Sequence, residues 1–145
     1  MAARDPESKC VIKFPDGVYC GSKVRLQGNI PPNAQRFSIN LQCGPRTDFQ
    51  EQVALHVNPR FNDMNVVRNH YAGGEWGREE NSGGMPLSKD ADFKTVIECN
   101  EQAFTVSFNG KHFCEFAHRM PYHRVTHVMV DGDVSLRLVS FPSTE

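Results

Sequence analysis

The chain has 145 residues, a size that one domain with a single core accommodates. Lysine and arginine number 16 against 17 aspartates and glutamates, a formal charge of −1, so no basic excess exists to neutralise a phosphate backbone and nucleic acid is not an expected partner. Hydrophobic residues make up 39%, and no apolar run approaches the roughly 20 residues that cross a bilayer, which excludes membrane insertion by a helix.

Residues 1–9 are polar and unpatterned, with no apolar h-region and no small-residue cleavage site. They read as a mobile lead before a domain at 10–145, and synthesis in the cytosol is the expectation. Beyond them no window holds a helical period for three turns. Short alternating runs separated by turn residues predict an all-β chain.

In chain order, a first run lies at 24–28. Phe37, Ile39, Leu41 and Cys43 then alternate with Ser38, Asn40 and Gln42, which implies one buried and one wet face. Val53, Leu55 and Val57 alternate with Ala54, His56 and Asn58, although Pro59 lacks a ladder donor and argues for interrupted pairing there. Runs at 66–69, 75–78 and 93–99 follow. Phe104, Val106 and Phe108 lead into Asn109-Gly110, a dipeptide that accepts positive φ at both centres of a tight hairpin, with 111–116 returning. Asp131-Gly132 predicts a second hairpin, between 127–130 and the Val134, Leu136, Leu138 set. About ten strands at this close spacing fit an antiparallel sandwich of two sheets.

The five cysteines, Cys10, Cys20, Cys43, Cys99 and Cys114, match neither zinc-ligand nor Cys-x-x-Cys spacing and are expected to be reduced. His118, His123 and His127 lack a carboxylate or thiolate companion, although His123 and His127 would share a strand face. Asp131-Gly132-Asp133 supplies too few oxygens for calcium. No metal and no cofactor is expected. Glu75, Glu79 and Glu80 do not form a glycosidase pair, because adjacent strand residues face opposite ways, so the chain reads as a non-enzyme.

The densest polar segment spans 56–80: His-Val-Asn-Pro-Arg-Phe, then Val-Val-Arg-Asn, then Glu-Trp-Gly-Arg-Glu-Glu. Period two puts His56, Asn58 and Arg60 on one face, with Leu55 and Val57 turned into the core. If the next two runs are neighbouring strands, roughly 4.8 Å apart, Asn69 and Trp76 lie beside that row. Such a row is either solvent-facing decoration or a concave patch suited to a sugar, whose hydroxyls need directed donors and acceptors and whose C–H face packs on an aromatic plane.

His-x-Asn-Pro-Arg-Phe, Val-x-Asn and Trp-Gly-x-Glu in this order resemble the binding signature of galectins, the leaderless, thiol-rich β-galactoside lectins. Arg36-Phe37, Cys43-Gly44, Asn109-Gly110, His118-Arg119 and Gly132-Asp133-Val134 extend the likeness from about Val11 onward. The resemblance implies a jelly-roll-like (galectin or concanavalin-like) sandwich. It implies a metal-independent groove in which His56, Asn58 and Arg60 bind the axial 4-hydroxyl of galactose. Asn69 and Glu79 would then take the 6-hydroxyl, with Val67 alongside and Trp76 stacked on the sugar. Glu79 is further expected to orient Arg60 through a charge-assisted contact. Trp76 and Glu79, three apart, need a bulge near Gly77 to share a face. Arg36, Ser38 and Asn40 would line an extended subsite for longer or sulfated glycans, whereas Asn81 stands where galectins often carry a basic residue for the second sugar. Partners implied are β-galactosides on glycoproteins or glycolipids, bound at millimolar to tens of micromolar strength (about −4 to −6 kcal/mol), with a homodimer raising the valence. A cytoplasmic pool with leaderless export is the implied location. A galectin-like sandwich serving mainly as a protein-interaction module, with weak or altered sugar binding, is the other reading left open by Asn81.

Overall fold

The alternating runs form eleven strands in a computed structural model that describes residues 9–47 and 51–142. They are β1 (Lys9–Lys13), β2 (Lys23–Ile30), β3 (Phe37–Gln42), β4 (Val53–Arg60), β5 (Asn65–Ala72), β6 (Glu75–Trp76), β7 (Ala91–Cys99), β8 (Ala103–Phe108), β9 (Lys111–Ala117), β10 (His127–Gly132) and β11 (Ser135–Ser140). One sheet has the order β1-β10-β3-β4-β5-β6 and the other β11-β2-β7-β8-β9, with every pairing antiparallel. The inward rows, among them Leu26, Phe37, Ile39, Leu41, Leu55, Val57, Ile97, Phe104 and Phe116, are buried between the sheets. The expected two-sheet antiparallel sandwich is the architecture observed.

Two contacts fix how the sheets are stacked. Phe14, just after β1, packs its ring 4.9 Å from that of Phe141, just after β11, so those edges lie together. At the opposite edge the Arg68 guanidinium of β5 lies 5.3 Å from the Phe113 ring of β9.

Several local expectations change. β1 was not anticipated, because an edge strand that is only half buried has little alternation to read, and Lys9 belongs to it rather than to the lead. Residues 1–8 lie outside the described residues. The Asn109-Gly110 hairpin is present, with Phe108 facing Lys111 and φ of 53° and 83° at the two turn residues. Asp131-Gly132, by contrast, is not a hairpin. Gly132 still faces Phe37 in the first sheet, and the chain then crosses to pair β11 with β2 in the second. Gly132 adopts φ of 105°, and a Cβ there would meet the Arg36 carbonyl oxygen at 2.8 Å, so glycine is required by both conformation and space. The Asp133 carboxylate then accepts from the backbone N–H groups of Gln35 (2.9 Å) and Arg36 (3.2 Å), tying the crossover to β3.

The outward face of β3 is wet only at Ser38. Asn40 and Gln42 are buried, and the Gln42 amide donates to the carbonyls of Gly44 (2.8 Å) and Arg46 (2.6 Å) in the loop that folds over it. His123 lies in a single 3-10 turn, Tyr122–Arg124, while His127 begins β10, so the two do not share a strand face.

Candidate functional site

Period two on β4 places His56, Asn58 and Arg60 on the outward face, and each is held from behind. Pro59 faces Phe37 at a position where a ladder N–H would serve the Phe37 carbonyl, and proline has none to give. The Asn58 Nδ2 donates to that carbonyl instead, at 2.7 Å. Pairing is therefore interrupted on the β3 side only, since Pro59 continues opposite Val66 on β5. With its amide orientation set in this way, Asn58 turns Oδ1 to accept from Arg60 Nε at 2.8 Å.

Arg60 Nη2 lies 3.7 Å from Glu79 Oε2, an ion pair too long for a hydrogen bond. The fork is thus oriented chiefly by buried Asn58 and only loosely by half-exposed Glu79, contrary to the expectation that Glu79 fixes it. His56 has its ring nitrogen Nδ1 2.6 Å from Asn40 Oδ1, so Nδ1 carries the proton and Nε2 keeps a lone pair for the groove. Asn40, expected to line an extended subsite, is buried behind His56 and does not line the cavity. It sets the imidazole tautomer.

Burial first, then the positive charges of Arg60 and Arg36, push the His56 pKa down to about 4, against a smaller opposing effect of the Asn58 hydrogen bond. The imidazole is therefore neutral at neutral pH. Below about pH 6.5 an unfolded histidine takes up a proton that the native ring refuses. Stability present above that pH should fall as the pH drops toward about 4, by on the order of 3 kcal/mol for this group. Urea unfolding between neutral pH and about pH 4 checks this: His56→Gln should show a shallower loss than the parent, and parallel curves would contradict the assignment.

On the other side of β4, His56 pairs with Asn69 and Asn58 with Val67 on β5. β6 then pairs Tyr71 with Trp76, and Gly77 donates its N–H to the His70 carbonyl at 3.0 Å, but the next bridge joins Arg68 to Glu80. Two residues separate the bridged positions on β5 and three on the facing strand, which is a one-residue bulge. It shortens β6 to Glu75–Trp76, where a run to residue 78 was expected, and it accounts for how Trp76 and Glu79 both line one cavity. A Cβ at Gly77 would collide with the His70 ring and come within 3.0 Å of Arg119, so any larger residue there would have to displace both side chains from the bulge. Asn69 Nδ2 donates to the Gly77 carbonyl at 2.9 Å, and its Oδ1 accepts from the His70 N–H at 2.8 Å.

A cavity of about 470 Å³, within the roughly 300–1,000 Å³ of ligand sites, collects these groups. His56, Asn58, Arg60, Val67, Asn69, Trp76 and Glu79 line it, as do Arg36 and Ser38. Phe37, Gly77, Asp131 and Gly132 also line it and were not anticipated. The last two were hidden by reading Asp131-Gly132 as a hairpin tip. Trp76 stands at the wall, 42% exposed, with its ring 4.7 Å from the His56 ring and 5.1 Å from that of Tyr71. The large aromatic face at this wall is accessible, and its tilt is set by two neighbours.

No group of three or more metal-ligating side chains gathers among the described residues. All five cysteines are free thiols. Burial raises Cys43 and Cys114 and pushes Cys99 up to about 12, which keeps these three protonated and unreactive. No helix among the described residues is long and apolar enough to cross a membrane.

Comparison with known proteins gives the arrangement a family. The sequence signature described as galactoside-binding lectin matches residues 9–141. Galectin-7 of Homo sapiens is 38% identical over 123 residues, 85% of this chain and 89% of that protein. Galectin-4 of Homo sapiens is 39% identical over 129 residues, which are 88% of this chain but 39% of that longer relative. Among solved structures, Caenorhabditis elegans galectin LEC-6 superposes with a TM-score of 0.80 at 26% identity, covering 97% of this chain and 93% of that one. Sheep galectin-11, solved in complex with glycerol, has a TM-score of 0.81 at 20% identity over 97% of this chain and all of the other, a likeness of fold. The chain belongs to the galactoside-binding lectin family, the galectins.

Proposed function

We propose that the groove binds a β-galactoside without covalent chemistry, in keeping with a family of lectins rather than enzymes. The observation that carries the reading is that the polar groups of β4 and β5 are already bonded on their inner sides and keep free valences toward a cavity walled by an indole. The neutral His56 Nε2 accepts from the axial 4-hydroxyl, and the Arg60 guanidinium donates to its oxygen. The remaining Asn69 Nδ2–H and the Glu79 carboxylate take the 6-hydroxyl, one donating and one accepting. Trp76 covers the apolar C–H face.

An equatorial 4-hydroxyl, as in glucose, leaves His56 and Arg60 facing no partner, at about 1–3 kcal/mol for each buried group left unsatisfied. Arg36 and Ser38 at the far end support a longer glycan, and the Asp131 carboxylate lining the same end offsets the attraction of Arg36 for a sulfate. Glycans on glycoproteins or glycolipids are the natural targets, and a homodimer would raise the valence. Free thiols support a cytoplasmic pool, from which export would bring the groove to its ligands.

Retention on immobilised lactose, with elution by free lactose and not by a glucose disaccharide, is the expected result. Absence of retention, or retention indifferent to sugar, would instead favour a protein-interaction module, the reading that Asn81 keeps in view.

A further inference from the structure

Arg119 lies two residues past the end of β9, in the sheet that does not carry the groove, and it is absent from the cavity lining. Its side chain nevertheless reaches the bulge between Trp76 and Glu80. Nη2 donates to the Arg78 carbonyl at 2.8 Å and to the Glu80 carboxylate at 2.9 Å. Nη1 donates to Asn69 Oδ1 at 3.1 Å and to the His70 Nδ1 at 2.9 Å. The guanidinium lies 4.5 Å from the Phe116 ring centroid, and the preceding His118 is pinned by its Nε2 to the Asn100 carbonyl at 2.7 Å. The fork is therefore set on a rigid base.

These contacts fall on the groups that a bulge leaves unserved. The extra residue breaks the ladder, so the carbonyls of Gly77 and Arg78 need partners from elsewhere. Asn69 serves the first and Arg119 the second. Arg119 also donates to Asn69 Oδ1, a third contact on an amide whose nitrogen is already turned to the Gly77 carbonyl and whose oxygen already accepts from the His70 N–H.

We propose that Arg119 is a positioning residue for sugar recognition: it holds the Trp76–Glu79 bulge in shape by serving the Arg78 carbonyl and by clamping Glu80 and Asn69 on either side of it, without touching the ligand. The proposal rests on the galactoside reading for its ligand but not for its geometry. Arg119 then governs discrimination at the 6-hydroxyl, the one group that Asn69 addresses.

Calorimetric titration with lactose and with its analogue lacking the galactose 6-hydroxyl tests it, alongside urea unfolding of each variant. The parent should prefer lactose about tenfold, the worth of one or two hydrogen bonds to a sugar. Arg119→Gln should reduce that preference to about twofold while remaining folded. Arg119→Lys keeps the charge and the stack on Phe116 but loses the planar fork, and should show the same collapse. Either variant retaining the parent's preference would overturn the proposal. Nitrogen–proton correlation spectra read the geometry without sugar: the Asn69 side-chain amide and the Trp76 indole N–H should both shift in Arg119→Gln. Unmoved resonances overturn the proposal, whereas a parent that ignores lactose while these signals shift overturns the galactoside reading alone.

Discussion

Arg60→Ala should lower the affinity for lactose more than a hundredfold, below detection for a site of this class. Three losses coincide in that one truncation. The ligand oxygen loses a charged donor, worth about 1.5–3 kcal/mol by comparison with similar hydrogen bonds. Asn58 Oδ1 loses the Nε–H that it accepts at 2.8 Å and is left as an orphan acceptor on a residue only 5% exposed. Glu79 loses the counter-charge 3.7 Å away. Because Asn58 remains tied to the Phe37 carbonyl, β4 should stay in place, so circular dichroism should match the parent while the orphaned acceptor lowers the melting temperature by only a few degrees. Calorimetry against lactose gives the direct measurement. A loss under about tenfold would mean that the guanidinium does not face the sugar.

Phe37→Ala should be among the most damaging single changes to stability, costing about 3–5 kcal/mol and lowering the melting temperature by about 10 °C or more. The ring is 1% exposed and packs 5.5 Å from Phe93 of the opposite sheet and 6.5 Å from Phe61. Removing it opens a void directly under the groove, and the same residue's carbonyl anchors Asn58. Lactose binding should therefore weaken along with stability. Phe104→Ala provides the contrast: equally buried, but on the other sheet and away from the cavity, it should cost similar stability and leave lactose affinity within about twofold. Equilibrium unfolding and calorimetry on the two variants separate these effects.

What alternation could reveal, it did. The β4 row of His56, Asn58 and Arg60 follows from period two, and Asn69 falls beside it once β5 is the antiparallel neighbour. The bulge is different, because one inserted residue leaves no trace in a short polar stretch. That Trp76 and Glu79 share a face came from resemblance to galectins rather than from spacing. Asn40 and Gln42 look solvent-exposed in sequence because a polar outward position says nothing about a loop folding over it. Asp131-Gly132 misleads for another reason: a glycine with positive φ serves a crossover between sheets as well as a hairpin, and only the pairing partner of β11 distinguishes them. Arg119 was visible as part of a matching motif, but its reach into the bulge depends on how the two sheets stack, which no local pattern encodes.

The stacking seen at Phe14 and Phe141 has a practical corollary. β1 and β11 share one flank of the sandwich, while the indole and the bulge sit toward the other. A flexible tether attached beyond β11 would leave beside Phe14, on the flank remote from the indole, whereas one before β1 would leave next to Asp131 at the far end of the groove. Two copies strung together in this way could engage neighbouring glycans at once, with millimolar effective concentrations multiplying a weak single-site grip.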